Sequence, residues 1–112
     1  MSALDRLIRV RRIREKLALA DLARAQGQAA ADAALLERVR SLVGGQGEGV
    51  ASAAVRSARA RIDAQVQDIA VEIAQRRDRS ATTRNEASQK LAAARAAVDA
   101  ALARRAEQED SC

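Results

Sequence analysis

Gly44-Gly45-Gln46-Gly47-Glu48-Gly49 is the stretch on which the fold turns. It holds four of the chain's five glycines, and glycine is the weakest helix former after proline and the freest at positive φ. The chain contains no proline, so this is its one clear break. The stretch separates a first helix, expected at about residues 3–43, from a second expected at about 50–108, with the loop at 44–49. Both are far longer than the usual globular helix, so a coiled coil is the natural reading. A short connection makes the helices antiparallel neighbours. The expected architecture is all-α: one coiled-coil domain, an antiparallel two-helix hairpin with the longer helix second.

Composition points the same way. Of 112 residues, 48 % are apolar, yet 29 are alanine, only 23 are Leu, Ile or Val, and none is aromatic. No side chain here can fill a wide interior, so close packing between slender elements is favoured. The apolar residues recur at helical coiled-coil spacing. Val10, Ile13, Leu17 and Ala20 lie 3, 4 and 3 apart. Leu22, Ala29, Leu36 and Val43 lie seven apart, with Ala25 and Val39 between them. Val55, Ile62 and Ile69 repeat the interval, with Val66 and Ile73 as the intermediate row. Leu91, Ala94, Val98 and Ala101 resume in what reads as a shifted frame, a stutter. Thr83-Arg84-Asn85-Glu86 also fits a capping box, which would break the second helix near Ser80–Thr83 and give three helices.

The net charge is +5 and its distribution is uneven. Residues 1–16 carry six basic and two acidic groups, residues 75–90 five and two, and the rest nine and eleven. Folding about the centre of the glycine cluster pairs residue i with about residue 93 − i. That pairing sets the two basic windows side by side and leaves the chain from Leu91 onward as a single-helix overhang. Like charges repel, so the coincidence suggests a docking face for an acidic partner, with Arg6, Arg9, Arg11, Arg12, Arg76, Arg77 and Arg79 as candidate partner-binding residues. Leu91, Val98 and Leu102 are candidates on the overhang, as an apolar stripe without an internal partner.

Several functions lose their chemical basis. Without histidine there is no imidazole base or ligand, and the single cysteine, Cys112, cannot form an internal disulfide or a thiolate cluster. The glycine stretch lacks the lysine and strand of a phosphate loop. Glu107, Glu109 and Asp110 lie in a charged tail without an apolar pocket. The reading is therefore no enzyme, no catalytic or metal residues, no cofactor and no small-molecule substrate. No apolar run is long enough to span a membrane and no signal-peptide pattern opens the chain, so a cytoplasmic setting is expected. Leu4, Leu7, Ile8 and Val10 among Arg6, Arg9, Arg11 and Arg12 could make a weak membrane-surface segment.

The run from Leu4 to Gln26, opened by Leu4, Leu7, Arg11 and Glu15 and followed by alanine-rich helix, resembles the start of the FliJ family of flagellar export stalk proteins and the YscO-type proteins of type III secretion. The resemblance implies an antiparallel two-helix stalk of a bacterial export apparatus. It implies a place at the cytoplasmic face of the inner membrane, with a hexameric export ATPase, an export gate membrane protein and export chaperones as partners. The alternatives are a basic coiled-coil scaffold binding nucleic acid or other acidic partners, and a structural oligomer whose helices associate between chains. Absence of aromatic residues for base stacking weighs against nucleic acid.

Overall fold

The computed structural model describes residues 2–44 and 52–111. They form two α-helices, α1 (Ala3–Gly44) and α2 (Ala53–Asp110), and among the described residues there is no strand. Of the loop expected at 44–49, Gly44 is the last residue of α1, and residues 45–49, like Cys112, lie outside the described residues. The helices start where the sequence can satisfy free backbone donors. The Asp5 N–H donates to Ser2 Oγ (3.1 Å) and the Ser2 N–H to Asp5 Oδ2 (3.3 Å), a reciprocal cap on α1. The Val55 N–H donates to Ser52 Oγ (3.2 Å) at the start of α2. At its far end the Ser111 N–H donates to the Glu107 carbonyl (3.1 Å). The capping box at Thr83–Glu86 caps nothing, because α2 runs unbroken through it.

Contacts divide the chain into two units, residues 2–26 with 82–111 and residues 27–44 with 52–81. In the first, Asp5 faces Arg105 (4.0 Å), Arg11 Nη1 donates to the Ala97 carbonyl (2.8 Å) and Glu15 faces Arg95 (3.9 Å). Numbers rise on one helix as they fall on the other, so the pair is antiparallel. In the second unit Asp32 pairs with Arg76 (3.1 Å), and Arg40 shares a shallow groove with Gln67, Ala70, Val71 and Ala74.

Each unit has a seam whose positions alternate by 3 and 4 residues, the spacing that keeps one helix face against its neighbour. On α1 the first unit uses Leu4, Ile8, Arg11, Glu15, Ala18, Leu22 and Ala25, all buried or half-buried. The second unit uses Ala29, Asp32, Leu36 and Val39, all buried. On α2 the frame runs Val66, Ala70, Ile73, Arg77, Ser80, then Ala87, Leu91, Ala94, Val98 and Ala101, with exposed Arg84 between Ser80 and Ala87. The expected frame shift before Leu91 is thus absent. Polar residues occupy seam positions there, and a search for apolar residues alone reads them as an interruption.

Two further expectations are corrected. Partners' numbers add to about 108–110 within either unit, not 93. Residues 1–16 therefore meet residues near 95–105, and the basic windows find their cross-helix partners separately. The observed register sets Asp against Arg and Glu against Arg, where the expected one sets Arg against Arg. Nor do residues from Leu91 onward overhang. Leu91 and Val98 are buried and Leu102 half-buried against the first half of α1, because this register covers their apolar surface.

Candidate interaction surfaces

Arg6, Arg9 and Arg12 are exposed on α1. Arg11 is half-buried, its guanidinium spent on the Ala97 carbonyl. Arg76 is exposed but held by Asp32, Arg77 bonds its neighbour Asp78 (2.9 Å), and Arg79 is exposed. Leu91 and Val98 are interior residues here. Arg6, Arg9 and Arg12 thus stand open on one face of α1 in the first unit, and Arg76 and Arg77 find their partners within the second.

The apolar residues among the exposed arginines have seam spacing but lie outside the seam. Val10, Ile13 and Leu17 point away from α2, at 43 %, 53 % and 61 % exposure. With Arg6, Arg9, Arg12, Arg14 and Lys16 around them they make a basic-apolar outer face. Leu4, Leu7 and Ile8, the residues a membrane-surface segment would need, are turned inward instead. Beside this face lies an open groove of about 380 Å³. Ala18, Ala25 and Ala87 form its floor, Leu17 one wall, and Arg14, Asp21, Glu86 and Lys90 its charged rim. Such an apolar floor with a mixed-charge rim suits the ridge of another helix.

Asp32 is a residue that sequence reading missed. It is 2 % exposed and lies in the seam. Its Oδ1 accepts from Gln28 Nε2 (3.0 Å) and forms an ion pair with Arg76 Nε (3.1 Å), while its Oδ2 has no hydrogen-bond partner among the described residues. Burial raises its pKa, but the Gln28 bond, the neighbouring Ser80 hydroxyl and the charges of Arg76 and Arg79 outweigh that, leaving it below the ordinary carboxylate value. Asp5 is also lowered, chiefly by its bonds with Ser2 and further by Arg105. A charged group in a seam fixes register, because any slip strands it without its partner. Its signal was available: Asp32 stands in the 3–4 frame of Ala25, Ala29, Leu36 and Val39.

Among the described residues no group of three or more Cys, Asp or Glu side chains could hold a metal ion, and no helix is long and apolar enough to cross a membrane. No family model, curated protein or solved structure matches the chain.

Proposed function

We propose that the chain is a non-enzymatic stalk or adaptor of a bacterial flagellar (type III) protein export apparatus, working at the cytoplasmic face of the inner membrane. Its role is to engage the export ATPase ring, the export gate and export chaperones through helix faces. The observation that carries this reading is the outer face of α1, where Val10, Ile13 and Leu17 stand exposed among Arg6, Arg9 and Arg12. These residues lie within the run that resembles FliJ and YscO-type proteins. The antiparallel two-helix hairpin with a longer second helix supports it as well. Arginine suits docking onto carboxylates because its planar fork makes paired contacts, and the apolar stripe between the arginines adds area.

The test is a pull-down of the matching export ATPase at low salt, together with its hydrolysis rate. Capture and stimulated hydrolysis are expected, and both should fall for Arg6→Glu/Arg9→Glu/Arg12→Glu. Absence of both with the unaltered chain contradicts the reading. The same exposed arginines also favour a second reading, a scaffold for nucleic acid. That reading predicts a gel shift with a steep salt dependence.

A further inference from the structure

The best β-branched heptad of the chain is not used by the fold. Val55, Ile62 and Ile69 are spaced by seven on α2, yet they are 44 %, 55 % and 48 % exposed. The residues that alternate with them at 3–4 spacing are Arg59, Val66 and, after Ile69, Ile73, and the last two are half-buried in the seam with α1. The stripe is therefore a second seam, turned about one residue from the first and sharing Val66 and Ile73 with it. It also runs past the reach of α1. Arg40 lies against residues 67–74 and α1 ends at Gly44, so the described part of α1 has little left to set against residues 53–64. A helical stretch of about a dozen residues is marginal in water without a neighbour.

The charges on this stretch say what the neighbour is. Between residues 53 and 73 every basic group comes first, Arg56, Arg59 and Arg61, and every acidic group after, Asp63, Asp68 and Glu72. A parallel copy of the stretch would set arginine beside arginine and carboxylate beside carboxylate. An antiparallel copy brings each arginine block onto a carboxylate block, with Ile62 near Val66 and Val55 near Ile73 in alternating layers. The stripe is complementary to itself under a two-fold axis, as a closed dimer requires. We infer that residues 53–73 of α2 form an antiparallel interface with the same segment of a second copy of this chain. The proposal stands apart from the export reading.

Sedimentation of the full chain from about 1 to 100 µM tests it, since the population of a dimer rises with concentration. The expected result is a species of twice the 11.9 kDa chain mass, giving way to monomer in Ile62→Glu/Ile69→Glu with helicity by circular dichroism kept above half of the unaltered value. Val10→Glu/Leu17→Glu, on the other exposed stripe, should leave the dimer in place. Should the charged double variant lose its helicity, the charges decide instead. Arg56→Glu/Arg59→Glu/Arg61→Glu and Asp68→Arg/Glu72→Arg should each weaken self-association about tenfold, and mixing the two should restore it. A monomer at every concentration overturns the proposal. So does a dimer indifferent to Ile62→Glu/Ile69→Glu, one abolished by Val10→Glu/Leu17→Glu, or charge variants that associate as the unaltered chain does. A monomeric chain whose capture of another protein is lost in Ile62→Glu/Ile69→Glu assigns the stripe to that protein and overturns it equally.

Discussion

The two units solve the same packing problem with different residues. Residues 2–26 with 82–111 fill their seam with apolar side chains, Ile8 at 3 % exposure, Leu91 at 4 %, Val98 and Leu22, and leave Val10, Ile13, Leu17 and Leu19 outside. Their polar seam members, Arg11 and Glu15, reach out sideways to Ala97 and Arg95. Residues 27–44 with 52–81 bury Leu36 and Val39 but give seam positions to Asp32 and Ser80, while Val55, Ile62, Ile69 and Val71 stay outside. Hydrophobicity alone therefore does not place a residue in this protein. Position in the 3–4 frame does, and the frame is held where oppositely charged groups meet.

The largest expected effect tests whether that frame carries the stability. Leu36→Ala should lower the unfolding free energy by about 3 kcal/mol in urea titrations, and Leu91→Ala by a similar amount. Ile13→Ala, though equally apolar, should change it by less than about 0.5 kcal/mol. A large loss at Ile13 would mean that the outer stripe is covered within the chain.

Acid should act next, through one carboxylate in each unit. Asp32 and Asp5 have lowered pKa values, so the stability they contribute is complete above their unfolded value, about 3.9. It drains as pH falls below that value through the lower native one. Urea midpoints should thus decline as pH falls below about 3.9. Asp32→Asn should be less stable at pH 7 and less sensitive over the acid range.

Backbone effects come after these. Gly27 lies inside α1 with nothing within 4 Å of the place a Cβ would occupy, so Gly27→Ala should stabilise by about 0.8 kcal/mol. Smaller again is the cap: Ser2→Ala should cost about 0.5 kcal/mol, seen as faster amide exchange over the first turn of α1.

Much of the fold was legible from one feature. The glycine cluster and the absence of proline implied two long helices, and α1 and α2 are those helices. The register was not legible, for a physical reason. Folding about the glycine centre assumes that both helices begin equally far from the turn, whereas Arg40 lies against residues 67–74. That offset follows from pairings spread along the helices, such as Asp32 with Arg76 and Asp5 with Arg105, and a local turn signal carries no record of them. The candidate surfaces went astray with it. Val10, Ile13 and Leu17 match a seam by spacing as well as Ile8, Leu22 and Leu36 do, and only the partner helix decides between the two faces. The exposed arginines Arg6, Arg9 and Arg12 were found because charge on a helix surface needs no register to be noticed.

The register is the claim on which both surfaces rest, and a cross-link reads it directly. Ile8 and Ala101 are both buried, between the Asp5–Arg105 and Arg11–Ala97 contacts. With Cys112→Ser as background, Ile8→Cys/Ala101→Cys should close an intramolecular disulfide under mild oxidation, and Ile8→Cys/Asn85→Cys should not. Closure of the Asn85 pair in preference to the Ala101 pair would restore folding about the glycine centre and contradict the account.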